Sequence, residues 1–324
     1  TFTVTLSAAA IQDVTVDYAS SNQSLSFTAA DVSSGTTSSY RTYETYVADI
    51  DGDGDLDIVR TGSNNRTSWL ENDGTANPSS WSNNLIGTTT TGKDVFVDDL
   101  DGDGDFDVVV AQANIIVWYE NNGDGSSWNA TNIDGGANGA QAVQLADLDG
   151  DGDLDVVHTS KTNSEIAWHE NTNGDGSNWT ENSLRSAAPL DGESEIAIAD
   201  IDGDGDLDIV ALDKGMNRSR NVYLLQNDNG DASSFTSVTV ALGNTGGSNS
   251  VAVQVADMDG DGDIDIVTAC SVTDSIFWHE NDGEANPSFT TSTIATTADG
   301  AYGIYVGDLD LDGDLDIVSA SKDD

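Results

Sequence analysis

The chain has 324 residues, with 58 Asp+Glu against 10 Lys+Arg and a formal net charge of -48. So large an acidic surplus excludes nucleic acid and anionic membrane surfaces as partners, since both need clustered Lys and Arg; it favours cations, neutral glycans or other proteins. Seven Trp and 33 Gly beside only three Pro exclude a disordered acidic tail and point to a folded chain rich in tight turns.

The first predicted element is Thr1-Phe-Thr-Val-Thr-Leu-Ser7, an alternating strand. Residues 1–12 are read as an extra N-terminal strand segment, and residues 13–324 as one domain. Within it, 13–36 resemble the third and fourth strands of a unit that repeats later. Thr1 reads as a processed start, which fits export. No apolar run approaches the ~20 residues of a membrane-spanning helix.

From about residue 40 one unit recurs. Its nine-residue acidic element starts at Asp49, Asp99, Asp147, Asp200, Asp257 and Asp308, at spacings of 50, 48, 53, 57 and 51 residues. That period suits propeller blades and is too long for leucine-rich or ankyrin repeats. Before each element an alternating stretch such as Val95-Phe-Val97 or Ile196-Ala-Ile198 predicts a half-buried strand. After it a short apolar run such as Val108-Val-Val110 predicts a buried one. A third strand follows in Ser68-Trp-Leu-Glu-Asn72, Val117-Trp-Tyr-Glu-Asn121, Ala167-Trp-His-Glu-Asn171, Tyr223-Leu-Leu-Gln-Asn227 and Phe277-Trp-His-Glu-Asn281. Trp69, Trp118, Trp168 and Trp278 are expected to pack between repeats. A polar fourth strand, as in Trp128-Asn-Ala-Thr-Asn-Ile133, closes the unit. Cys270, the sole cysteine, falls at a strand end and reads as a small buried hydrophobe.

Four antiparallel strands make one propeller blade, and radial stacking of blades covers both faces of each. The expected fold is all-β, a six-bladed β-propeller. Seven blades is the alternative and needs residues the repeats do not supply. The chain ends after the second strand of the sixth repeat, so the N-terminal strands are expected to complete the last blade. They do so in cis, or in trans as strand exchange that builds a filament.

The acidic elements carry the chemistry. Calcium takes six to eight hard oxygen ligands in flexible geometry. Alternating aspartates at positions 1, 3 and 5 bring carboxylates to one centre, position 7 offers its carbonyl, and Gly at position 6 permits the sharp turn. The predicted metal residues are Asp49, Asp51, Asp53, Asp55 and Asp57; Asp99, Asp101, Asp103, Asp105 and Asp107; Asp147, Asp149, Asp151, Asp153 and Asp155; Asp200, Asp202, Asp204, Asp206 and Asp208; Asp257, Asp259, Asp261, Asp263 and Asp265; and Asp308, Asp310, Asp312, Asp314 and Asp316. An EF-hand would place Glu at position 12; here that position is Arg60 in the first loop, and Asp57 at position 9 is the natural bidentate replacement. In the sixth loop position 4 is Leu311 while position 6 stays Gly313, as expected if position 6 alone carries the strained turn. The apolar residue at position 8 is expected to anchor the loop inward. About six structural Ca²⁺ are implied; magnesium, which demands strict octahedral geometry, fits less well.

These loops, the Leu-Asp-Ile-Val that follows and the Trp-Tyr-Glu-Asn strand resemble FG-GAP/VCBS-type repeat proteins, the group that includes the integrin α-subunit propeller and many bacterial secreted proteins. The resemblance spans residues of about 40–324. It implies a structural Ca²⁺ in the turn joining strands one and two of each blade, on the face away from the usual ligand face. Thr1 to Tyr18 also resembles strands of a Calx-β-type module.

No catalytic constellation stands out, and the chain is expected not to be an enzyme. His169 and His279 occupy equivalent repeat positions and, with His158, read as packing or surface rather than as a triad or zinc set. Glu193 and Glu195 are the only acids outside the loops to watch. Sequons at Asn22, Asn65, Asn129, Asn178 and Asn217 mark surface positions if the host glycosylates. The expected function is a secreted or cell-surface, calcium-stabilised scaffold or adhesion protein, with a subunit of a filament or surface assembly as one form of it; its expected partners are calcium and other protein subunits or extracellular glycans. The alternatives are a glycan-binding, lectin-like propeller and an accessory propeller of a polysaccharide-degrading enzyme.

Overall fold

The computed structural model describes residues 16–17, 42–62, 65–72, 74, 81–88, 90–184, 194–213, 221–241, 250–310 and 312–321. The extra strand expected over 1–12 and most of the half-unit at 13–36 lie outside these residues.

Every described regular element is a β-strand. Five sheets have four antiparallel strands each, and every one is built from a single repeat in plain meander order. Repeat two is representative, with strands Gly92–Asp98, Asp107–Gln112, Ile115–Asn121 and Trp128–Asp134. The first strands of the six repeats are Thr42–Ala48, Gly92–Asp98, Ala140–Ala146, Ser194–Ala199, Ser250–Ala256 and Ala301–Gly307. A sixth sheet joins Ala301–Gly307 to Asp316–Ser321 and to the N-terminal Val16–Asp17. Val16 pairs with Ala320 and Asp17 with Ser319, antiparallel, in the third-strand place.

The burial pattern follows the sequence pattern. The first strand alternates, the second is buried throughout in repeats one to five, and the fourth is mostly exposed. A strand covered on both faces is largely apolar, which is why the second strands carry runs such as Val-Val-Val-Ala and Ile-Val-Ala-Leu, and the polar residues among them, such as Arg60, Gln112 and His158, are hydrogen-bonded. Cys270 lies in such a strand and is fully buried.

The core lies between sheets. Trp69 packs with Val95, Val97 and Val117 of the next repeat, and Trp168 with Ile196, Ile209 and Leu225 of the next. In repeats two and three the turn after the third strand closes over the tryptophan of the repeat before it. A Cβ on Gly125 would stand 2.7 Å from Trp69, and one on Gly176 would stand 2.3 Å from Trp118. Both glycines also hold positive φ, 64° and 65°. Contact distance and backbone conformation therefore both demand glycine there.

First strands of successive repeats touch in order and tie to one another. The Val143 N–H donates to Asp94 Oδ2 at 2.8 Å, and Gln144 Nε2 donates to the Ile196 carbonyl at 2.9 Å. A cavity of about 540 Å³ is lined by residues of all six first strands.

Candidate metal loops and central cavity

Each acidic element forms the connection between strands one and two, closed by a recurring set of hydrogen bonds. The position 6 glycine N–H donates to Oδ2 of the position 1 aspartate at 2.9–3.0 Å in all six loops. The position 7 N–H donates to Oδ1 of position 5 in all six at 2.9–3.0 Å. The backbone thus curls round its own carboxylates, which face inward.

The glycine assignment needs one revision. Position 6 has φ of 95–102° in all six loops, and position 4 is also left-handed in five, at 71–76°. Position 4 is therefore not relaxed. Its φ sits near the left-handed helical well that other residues visit at modest cost, whereas φ near 100° is open only to glycine. Leu311 itself lies outside the described residues.

The inward anchor expected at position 8 holds in three loops: Leu154, Leu207 and Ile264 pack half-buried against the cores between sheets, whereas Leu56 is 60 % exposed and Phe106 39 %. The deeper anchor is position 2: Ile50, Leu100, Leu148 and Ile201 are buried to within 2 % and join the same cores.

Position 9 does two jobs. Its Oδ2 accepts the position 2 N–H at 3.0–3.3 Å in all six loops. Its Oδ1 accepts the N–H of the asparagine ending the third strand at 2.7–2.9 Å in repeats one to five. Each oxygen keeps a further lone pair, and position 9 still converges with the others. Oxygens of Asp147, Asp149 and Asp155 lie within 4.8 Å of one another, as do those of Asp200, Asp202 and Asp208. Asp49, Asp51 and Asp53, and Asp99, Asp101 and Asp103, form equivalent groups.

These residues fit a hard cation. Oδ1 of Asp49, Asp99 and Asp147 is buried and has no hydrogen-bond partner; a buried carboxylate oxygen left unpaired is costly. Burial pushes the carboxyls of Asp107, Asp155 and Asp208 up to about 7 and that of Asp57 to about 6, although backbone N–H groups pull the other way. A divalent ion bound by oxygens alone supplies the missing positive charge. The all-carboxylate and carbonyl donor set on a flexible loop suits Ca²⁺.

The asparagine ending the third strand was not singled out by its sequence position. Nδ2 of Asn121, Asn171, Asn227 and Asn281 donates to the position 2 carbonyl of the preceding repeat at 2.7–3.1 Å. The same Nδ2 atoms in Asn121, Asn171 and Asn281 reach the position 8 carbonyl of their own loop at 3.1–3.3 Å. Each tie therefore fastens two neighbouring loops. Its signal was present as an Asn at one fixed place in five repeats.

The second candidate site is the cavity on the axis of the first strands. Asp94 and Glu195 both line it. Burial, then Glu195 and Glu44, push the Asp94 carboxyl well above the usual carboxylate range. Glu195 was one of the two acids outside the loops to watch; its partners Asp94 and Glu44 were not foreseen, and Glu193 lies outside the described residues. Tyr43, Tyr46, Phe96 and Tyr302 add aromatic walls, and Lys93 Nζ stands 4.7 Å from the Tyr43 ring centroid.

Meander sheets stacked side by side, each with the same acidic turn, define a β-propeller of repeated acidic-loop blades. The chain belongs to the FG-GAP-like repeat family, whose sequence profile matches residues 49–110, 99–158, 147–211, 200–268 and 257–319. No curated protein matches it in sequence. Among solved structures it is similar to an Agrocybe aegerita lectin that recognises non-reducing terminal N-acetylglucosamine, with 20 % identity and a TM-score of 0.60 over 87 % of this chain and 75 % of the lectin. It is also similar to a Penicillium chrysogenum α-L-arabinanase complexed with arabinobiose, at 13 % identity and 0.53 over 87 % and 93 %. A Fusarium graminearum α-L-arabinofuranosidase matches at 12 % and 0.54 over 88 % and 94 %. At these identities the likeness establishes the fold.

Proposed function

We propose that this chain is a non-enzymatic, extracellular scaffold or adhesion propeller, stabilised by about six Ca²⁺ and closed as a six-bladed ring. The observation that carries the reading is repetition: one carboxylate loop is built at the same place in every repeat, with the same hydrogen bonds. A single reaction site has no use for six copies, whereas a fold that must neutralise buried carboxylates between blades uses each one. Closure in six is supported by the cavity that all six first strands line and by Val16–Asp17 on the sixth sheet. Addition of excess EDTA should lower the melting temperature strongly; an unchanged melt would reject structural calcium. Electron micrographs showing polymers rather than monomers would move closure from cis to exchange between subunits.

A second reading is glycan binding in the central cavity. It is favoured by tyrosines and carboxylates lining one cavity, groups that stack on sugar rings and accept from their hydroxyls. Glycan-array binding that is lost in Tyr302→Ala and Glu195→Gln would support it. Array binding that survives both substitutions would place the ligand elsewhere.

A further inference from the structure

Two of the three histidines meet in one buried pocket. His158, on strand Asp155–Ser160, and His169, on strand Glu165–Asn171, are 1 % and 2 % exposed. Their rings stack at 16° with centroids 5.1 Å apart, and their Nε2 atoms are 3.1 Å apart. Asp134, ending the outer strand of repeat two, completes the group. Its Oδ2 lies 3.4 Å from His158 Nε2 and 3.9 Å from His169 Nε2. Its Oδ1 accepts the Gly136 N–H at 2.6 Å, which fixes Oδ2 toward the pair. Ser160 Oγ, 3.3 Å from His158 Nδ1, orients that ring.

A packing histidine in this fold is arranged differently. His279 occupies the place of His169 in repeat five. There Nε2 meets Thr268 Oγ1 at 3.1 Å and Nδ1 meets Thr291 Oγ1 at 2.9 Å, so both nitrogens are satisfied. Repeat three puts His158 where repeat five has Thr268, and repeat two supplies Asp134 where repeat four has Ala241. Packing alone needs neither change.

We propose that Asp134, His158 and His169 bind a borderline divalent transition metal, Zn²⁺ foremost, that fastens repeat two to repeat three. The three inter-atomic distances define a circle of radius about 2.0 Å, and Zn–N and Zn–O bonds are ~2.0–2.2 Å. An ion at its centre reaches all three donors without rearrangement. Two imidazole nitrogens and one carboxylate suit zinc, copper, nickel or iron, not calcium. The Asp134 side chain, 12 % exposed, forms the outer edge and the entry path.

The test uses the full chain with its acidic loops saturated by calcium. Titration with ZnCl₂ should show one tight equivalent and a higher melting temperature. His158→Thr, which recreates the repeat-five arrangement, should lose that equivalent. Asp134→Asn, at the more exposed edge, should weaken it by an order of magnitude or more while calcium protection of the melt is unchanged. Co²⁺ added to the unmodified chain should give the intense visible bands of nitrogen-ligated, low-coordinate cobalt, a readout that needs no variant. Absence of zinc binding under calcium, equal binding in the unmodified chain and a folded His158→Thr, or only the faint spectrum of oxygen-bound Co²⁺, would each overturn the proposal and leave an imidazole–imidazole hydrogen bond.

Discussion

Repeats three and five share their strands, their aspartate loop and their asparagine tie, yet differ at the middle of the second strand. Repeat five holds His279 between two threonine hydroxyls, and repeat three sets His169 against His158 and Asp134. The shared parts are what the fold requires of every unit. The difference shows where one unit is free to add chemistry: mid-strand, away from the loop, at the seam with the repeat before it.

The largest test of that division is calcium removal, which should act on both repeats alike. Each occupied loop is worth about 4 kcal/mol at a thousandfold excess of free calcium over its Kd. In EDTA, hydrogen exchange should therefore rise in both second strands together; protection that persists in one repeat alone would break the equivalence. Next in size are Asn171→Ala and Asn281→Ala. Each removes a buried side chain with bonds to two loops, and each should cost roughly 2–4 kcal/mol in urea unfolding. A large difference between them would mean that the tie matters in one seam only.

The third test uses acid. Burial pushes His279 down to about 4 from its ordinary 6.5. The unfolded chain takes up this proton first, so the contribution of neutral His279 is complete above about 6.5 and is lost as pH falls toward 4. The loss approaches roughly 3 kcal/mol. His279→Leu, the residue type that repeats one and four carry at this place in Leu70 and Leu225, should remove this component from the stability–pH curve; identical curves would show that the histidine is not buried neutral. The smallest effect on stability, and the sharpest on the comparison, is a transplant. Ala241→Asp with Thr268→His should give the repeat four–five seam a second zinc equivalent in the same titration.

Much of this was legible in the residues. A period near 50, alternation before each loop and an apolar run after it gave strand order, burial and the packed tryptophans. Four features were not legible, each for a physical reason. Positions 2 and 8 are both apolar, and alternation cannot say which is the more deeply buried when the chain curls between them. The partner of Asn121 lies 71 residues back, beyond any local pattern, so the residue looked like an ordinary strand end. Repeat position made His169 and His279 equivalent. What separates them is Asp134 on a neighbouring sheet and a histidine in place of a threonine. The cavity carboxylates Asp94, Glu44 and Glu195 likewise come from three different repeats and meet only when the first strands stand side by side.

The asparagine tie has a direction. In repeats two to five it reaches back, from one repeat to the loop of the repeat before it. A loop is therefore finished only once its successor has folded against it. For a chain made N-terminus first, the last hydrogen bond to each loop trails the emerging polypeptide by one unit. The newest loop stays open and soft while the one behind it locks, so assembly proceeds like a zip whose slider is always one tooth ahead of the last closed pair.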